Sequence, residues 1–161
     1  SGGVCVSAFF NQKNISFMSV LFADMRSKIL KMELVALLST GKGTWGQVSG
    51  LMKHGEWENI IVLGDEFGTG FTHEKPFEFI KVNLQAKIKD LQEEFLKKLK
   101  NKINGTEVAL SIASGEGKEH MALISALINV PVGIRFAALT KDGVIDLKDV
   151  DAIFWATGHI Q

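Results

Sequence analysis

Short apolar runs that alternate with amphipathic segments constrain the fold of this chain more than any other feature. The runs lie at Glu33–Leu38, Asn59–Leu63, Glu107–Ala113 and Val132–Leu139. Continuous apolar runs of this length are typical of strands that are buried on both faces of a parallel sheet. Strands that alternate with helices form right-handed βαβ units. The sequence therefore predicts a three-layer α/β domain with a mainly parallel sheet.

The segments between the runs supply the remaining elements. Ala86–Ile103 is the clearest helix, because its apolar residues recur at helical spacing until Asn104-Gly105 ends it. Lys141-Asp142-Gly143 predicts a turn, and hence a C-terminal hairpin. The further predicted elements are helices over Trp45–Lys53 and Glu119–Ile128 and strands over Phe77–Asn83 and Val144–Leu147.

Composition excludes several classes of function. The 161 residues carry no net charge, so the chain has no basic excess that would indicate a general nucleic-acid surface. Cys5 is the single cysteine, which excludes an intrachain disulfide and a zinc site built on several cysteines. The four histidines form no metal-binding pair, and we expect neither a metal nor another cofactor. No apolar run reaches the roughly 18 residues that span a bilayer, so we expect a cytoplasmic protein without membrane contact.

Two loops that follow predicted strands carry the candidate chemistry. Ser114-Gly115-Glu116-Gly117-Lys118 leads from a strand into a helix, and Ser39 to Thr44 follows the first strand. Glycines allow backbone N–H groups to approach a ligand, and a helix N-terminus contributes partial positive charge. Both loops therefore predict a phosphate or nucleotide site, with Lys118 adding a full charge. The competing interpretation of either loop is a surface turn that only caps a helix.

Known phosphate motifs match these loops only in part. Neither loop has the glycine spacing of a Walker P-loop. Gly41, Gly43 and Gly46 do have the Gly-x-Gly-x-x-Gly spacing of dinucleotide sites, and Asp65 ends the second strand where a ribose-binding acid is expected. A dinucleotide site at the first loop is therefore a minor alternative.

The stretch Leu110–Ile128 (LSIASGEGKEHMALISALI) resembles the fourth-strand motif of CRISPR-associated Rossmann-fold (CARF) domains. That motif is a strand, a Ser/Thr-Gly-Gly-Thr-Lys-like loop and a helix rich in Met, Ala and Leu. Ser114, Gly115, Lys118 and Met121 fit this pattern, whereas Glu116 and Gly117 replace the usual Gly-Thr pair. Leu38-Ser39-Thr40-Gly41 is similar to the other ligand loop of the family. A carboxylate at position 116 repels phosphate unless it points away or pairs with Lys118.

The resemblance implies a Rossmann-like domain over residues 32–161, preceded by an extension or extra elements in residues 1–31. It implies a homodimer that binds a cyclic oligoadenylate in a CRISPR antiviral defence system. The protein would be a sensor or a metal-independent ring nuclease that cleaves its ligand by 2′-hydroxyl attack. The alternative is a non-catalytic nucleotide-binding or subunit-interaction module. In this interpretation Lys118 and Ser114 are catalytic, and the ligand-binding residues are Ser39, Thr40, Gly41, Lys42, Thr44, Gly115, Gly117 and His120.

Overall fold

The computed structural model describes residues 15–21 and 32–147. The chain divides into two compact units, Ser1–Lys31 and Met32–Gln161. In the first unit, residues 15–21 form helix α1. The rest of the predicted extra elements in residues 1–31 lies outside the described residues, as do residues 148–161. Within the described part of the chain, no helix combines the length and apolar character that crossing a membrane requires.

The second unit contains a six-stranded sheet with the strand order β3-β2-β1-β4-β5-β6. The first five strands run parallel to one another, and β6 pairs antiparallel with β5. The strands are β1 (Met32–Leu38), β2 (Trp57–Gly64), β3 (Glu78–Lys81), β4 (Glu107–Ser111), β5 (Gly133–Thr140) and β6 (Gly143–Leu147). The helices of this unit are α2 (Lys42–His54), a 3₁₀ helix (Glu66–Gly70), α3 (Ile88–Leu99) and α4 (Gly117–Asn129). The predicted Rossmann-like α/β class is confirmed.

Helices cover the sheet on both faces, as the alternating side chains of β1 show. Leu34, Ala36 and Leu38 pack with Leu51 and Met52 of α2 on one face. The intervening β1 residues, Val35 and Leu37, share the opposite core with α3 and α4, including Leu91, Phe95, Leu123 and Leu127. Right-handed crossovers explain this arrangement, because α2 leads from β1 towards one edge of the sheet and α4 leads from β4 towards the other.

The predicted elements are confirmed, and their ends move by a few residues. α2 and α4 each begin earlier than the apolar periodicity indicated, at Lys42 and Gly117. Polar and glycine residues fill these first turns, so hydrophobic spacing does not reveal them. α3 is shorter than predicted and ends at Leu99, and Ile103 packs against the same core from beyond the end of the helix. The predicted hairpin turn contains Gly143, whose φ of 115° favours glycine.

Candidate functional site: the crevice between two strand–helix loops

The two candidate loops meet at the carboxyl ends of two central strands of the sheet. β1 and β4 are neighbouring parallel strands, so the loops that follow them leave the sheet side by side. The helices after these loops lie on opposite faces. A reversal of this kind is the topological switch point at which open α/β sheets form a ligand crevice. We call the loop from β1 to α2 the first loop and the loop from β4 to α4 the second loop.

The Ser114 side chain joins the two loops. Its Oγ accepts a hydrogen bond from the Ser39 backbone N–H at 3.0 Å and lies 2.7 Å from the Thr44 hydroxyl oxygen. Ser114 is 1% exposed, so little water competes for these contacts. The side chain predicted to be catalytic therefore holds the base of the crevice together.

The positions of the protons in this junction follow from the chemistry of its groups. The Thr44 hydroxyl lies 2.8 Å from the Gly41 carbonyl oxygen, which can only accept. If Thr44 donates its single proton there, Ser114 donates to Thr44 and Ser39 N–H donates to Ser114. Every group in this series of hydrogen bonds then has a partner, and consecutive hydrogen bonds of this kind strengthen one another. The junction fixes the first turn of α2 relative to the second loop.

Gly115 allows the second loop to turn tightly beneath its own helix. Its φ is 108°, a conformation that side-chain-bearing residues rarely adopt. A Cβ atom at this position would lie 2.6 Å from Cδ2 of Leu37 and 2.8 Å from Oε2 of Glu119. His120 closes the same turn, because its Nε2 lies 2.9 Å from the Ser114 carbonyl oxygen and must donate to it. The glycine expected to approach a ligand is instead packed against protein.

The N-terminus of α4 is occupied by the protein's own carboxylates. Glu116 is the N-cap, and its side chain accepts from the Glu119 backbone N–H. Glu119 is 4% exposed, and its Oε2 accepts from the Glu116 N–H at 2.9 Å. This reciprocal arrangement is a capping box with glutamate in place of the usual serine or threonine. A phosphate at this helix start would have to displace Glu116 and lie beside the buried charge of Glu119.

The N-terminus of α2, in contrast to that of α4, is not capped by a carboxylate. Its N-cap is Gly41, no side-chain hydrogen bond caps it, and its first turn contains no acidic residue. Gly41 and Gly43 are both exposed, and apart from the adjoining backbone no atom would come within 4 Å of a Cβ atom at Gly43. Backbone N–H groups at a helix start attract anions when nothing else satisfies them. Of the two loops, the first therefore has the free anion-binding capacity.

The dinucleotide alternative does not fit this geometry. In that fingerprint the third glycine permits close packing between helix and strand. Gly46 occupies the third position, yet it is exposed, and apart from the adjoining backbone a Cβ atom there would meet nothing within 4 Å. Asp65 caps the following 3₁₀ helix, because its side chain accepts from the Phe67 N–H at 3.1 Å. The glycine spacing of the fingerprint is present, but Gly46 lacks the close helix–strand packing that the third glycine provides in dinucleotide sites.

Lys118 is held by the segment that follows β3. Its Nζ donates to the Leu84 carbonyl at 2.8 Å and to the Ala86 carbonyl at 3.1 Å. These carbonyls belong to the segment between β3 and α3, so Lys118 ties α4 to a third loop. Two of its three N–H groups are thereby used. Direct ligand contact by this ammonium stays a prediction, and the geometry gives Lys118 a structural role.

The structure thus sorts the predicted site residues into three groups. Those at the junction or within the turns around it are Ser39, Thr40, Gly41, Thr44, Ser114, Gly115 and His120. Lys42 begins α2, and Gly117 begins α4 behind the capping box. Lys118 lies in the first turn of α4, half-buried against the segment between β3 and α3. Sequence reasoning missed Glu119, although an acid three residues after a capping position is the known signal for such a box.

No protein-family model and no curated protein matches this chain. The CARF resemblance therefore rests on the residues of the two loops alone. Within residues 15–21 and 32–147, no three His, Cys, Asp or Glu side chains are grouped so that they could hold a metal ion. The crevice itself is therefore the basis for assigning a function.

Proposed function

We propose that the protein binds a nucleotide at the switch-point crevice, with a phosphate at the N-terminus of α2. The observation that carries this proposal is the contrast between an uncapped α2 and a capped α4 on neighbouring strands. A phosphate at α2 meets the exposed backbone of Gly41 and Gly43 and no carboxylate in the first turn. The Thr44 N–H of this turn already donates to the Gly41 carbonyl oxygen at 3.0 Å, which leaves the N–H groups of Lys42 and Gly43 for a ligand. The ligand class that we propose is a cyclic oligoadenylate, to which the CARF resemblance points.

Binding without cleavage is the form of this function that the side chains favour. Cleavage by 2′-hydroxyl attack needs a group that stabilises charge on the phosphate oxygens. Lys118 donates to two carbonyl groups, and the Nε2 of His120 donates to a third. His120 would first have to break its hydrogen bond, and the two carbonyl partners of Lys118 leave it one N–H group and fix the ammonium against the segment after β3. We therefore propose that the protein is a sensor, which binds its ligand without cleaving it and acts on an effector in the ligand-bound state.

The test is a calorimetric titration of the full chain with cyclic oligoadenylates of several ring sizes, AMP and inorganic phosphate. Gly43→Asp places a carboxylate in the first turn of α2, where the open space tolerates a side chain. We expect it to weaken binding by about tenfold or more through like-charge repulsion. Gly43→Asn has the same shape without the charge and is the matched control, which should bind within a few-fold of the parent protein.

One further variant, compared with Gly43→Asp, distinguishes the two helix starts. Glu116→Asn keeps an N-capping side chain at α4 but removes its charge. If the phosphate binds at α2, this change leaves affinity almost unaltered. A large gain in affinity for Glu116→Asn together with no loss for Gly43→Asp would move the site to α4. Chromatography of the ligand after incubation separates binding from cleavage. If none of these ligands binds, the nucleotide proposal fails and a subunit-interaction module takes its place.

A further inference from the structure

A phenylalanine is exposed on the 3₁₀ helix that follows β2. Phe67 is 67% exposed. The phenylalanines further along the same segment, Phe71, Phe77 and Phe79, all pack against the core on the α2 face of the sheet. An aromatic side chain that stays in water forgoes the hydrophobic stabilisation that these neighbours gain. Phe67 is therefore an aromatic ring of this segment that a ligand can reach.

The 3₁₀ helix lies directly beside the first loop. β1 and β2 pair in parallel up to their last residues, so the segments that follow them leave the sheet as neighbours. A Cβ atom at Gly68 would lie 3.8 Å from Cβ of Leu38, the residue that precedes the first loop. The first turn of α2 contacts the same segment, because the ring centroids of Trp45 and Phe71 are 5.9 Å apart. Phe67 thus lies at the carboxyl end of β2, next to the first loop and the start of α2.

The backbone that carries Phe67 is held in place, and the ring is not shielded by its own helix. Oδ1 of Asp65 accepts from the Phe67 N–H at 3.1 Å, and an ion pair between Glu66 and Lys81 joins the start of the 3₁₀ helix to β3. Side chains three residues apart eclipse one another in a 3₁₀ helix, and the residue three positions after Phe67 is Gly70. Apart from the adjoining backbone, a Cβ atom at Gly70 would meet nothing within 4 Å. One face of the Phe67 ring is therefore open to a flat ligand.

Trp45 also lies beside the first loop, but protein contacts already hold it. Its Nε1–H donates to the Ser39 carbonyl oxygen at 3.0 Å. Its ring is half-buried and meets the Phe71 ring edge-on, with an angle of 86° between the two planes. Trp45 therefore joins α2 to the segment after the 3₁₀ helix, and a flat ligand at this side of the crevice finds Phe67 instead.

The surroundings of Phe67 favour a small ligand over a protein partner. The exposed residues next to it on the 3₁₀ helix are Glu66, Thr69 and Gly70, which add no apolar side chain. Surfaces that bind proteins are wider apolar patches. A single open ring on a polar surface matches the size of one planar ring system.

An exposed aromatic ring next to a phosphate site is suited to recognise a nucleobase. Aromatic side chains bind bases by stacking on the π-face that every base has, whereas inorganic phosphate and sugar phosphates have no such face. We infer that Phe67 is the base-stacking residue of the crevice, and that it makes the site select nucleotides over other phosphate esters. This inference rests on the proposed function, from which it takes the position of the phosphate at the N-terminus of α2.

Calorimetric titration of the full chain with AMP, cyclic tetra-adenylate and ribose 5-phosphate tests the base-stacking role. Phe67→Ala should weaken the binding of both adenylates by about tenfold or more, since the stacking of one base changes affinity by about this factor. It should leave the affinity for ribose 5-phosphate unchanged. Phe67→Tyr keeps the aromatic ring and should bind within a few-fold of the parent protein. Met121→Ala is the matched control, because Met121 is 65% exposed on α4, and it should change no affinity.

Gly43→Asp separates a failure of this inference from a failure of the proposed function, because it acts on the phosphate and should weaken all three ligands alike. If Gly43→Asp weakens the adenylates and Phe67→Ala does not, the phosphate site stands and the base-stacking role is wrong. If only Phe67→Ala weakens them, the ring binds the base and the phosphate site at α2 is wrong. A parent protein that binds ribose 5-phosphate as tightly as AMP overturns the base-stacking role, and one that binds no adenylate overturns both proposals.

Discussion

The first and second loops occupy equivalent places in the fold but have opposite electrostatic character. Each follows one of two neighbouring parallel strands, and each begins a helix of 13 residues. Glu116 and Glu119 cap the helix after the second loop, whereas Gly41 leaves the helix after the first loop uncapped. The comparison teaches that topology brings a helix start to the crevice, and that capping decides whether this start is free to bind an anion.

The loops also use glycine differently. Gly115 is required because its backbone conformation and close neighbours exclude a side chain. Gly43 has open space around its Cβ position, so the fold does not need a glycine there. A glycine that lowers helix propensity without a packing reason fits a position where a ligand approaches the backbone closely. Gly117 at the end of the second loop has the same open space, so the contrast in glycine use lies between Gly115 and Gly43 alone.

The largest expected effect separates these two glycines. Gly115→Ala should lower the free energy of unfolding by about 3 kcal/mol, through strain at positive φ and overlap with Leu37. Gly43→Ala should raise it by about 0.5–1 kcal/mol, because alanine favours the helix. Urea denaturation of both variants measures the difference. Equal effects would show that the loops do not differ in this way.

A smaller effect is expected where the loops join. Ser114→Ala should destabilise the domain by about 2 kcal/mol, because it leaves the Ser39 N–H and the Thr44 hydroxyl without their buried partner. Ser125→Ala, at an exposed position, is the control and should change stability by less than about 0.5 kcal/mol. A double-mutant cycle with Thr44→Val measures the coupling between the loops. Additive losses would mean that the two hydroxyls act independently.

The smallest effect concerns Lys118. Lys118→Met keeps much of the side-chain length but removes both hydrogen bonds to the segment after β3, so we expect a loss of about 1 kcal/mol. Lys89→Met on the exposed surface of α3 is the comparison and should be nearly neutral. Lys118→Met also tests the prediction that Lys118 is a catalytic residue. If Lys118→Met lowers nucleotide affinity or turnover far more than it lowers stability, the ammonium reaches the ligand despite its two carbonyl partners.

The amino-acid sequence was enough to predict the α/β class and the succession of strands and helices along the chain, but not the order of the strands in the sheet. An apolar run such as Glu33–Leu38 predicts a buried strand whichever strand it pairs with. A turn residue such as Gly143 affects the backbone only within a few residues, so it can also be recognised from the local sequence. The sequence also placed Ser39, Thr44 and Ser114 in the loops beyond β1 and β4, because those loops must leave the same edge of a parallel sheet.

The roles of the side chains in these loops depend on contacts that form only in the folded domain. The charge of Lys118 suggested a ligand contact, but its partners at Leu84 and Ala86 lie more than thirty positions away in the chain. The hydrogen bonds of Ser114 reach across a similar or larger separation. A sequence motif describes residues that are close along the chain. The hydrogen-bond partner of a polar group depends instead on which distant segments the packed core brings together. That is why the glycine loops could be found from the sequence and their opposite roles could not.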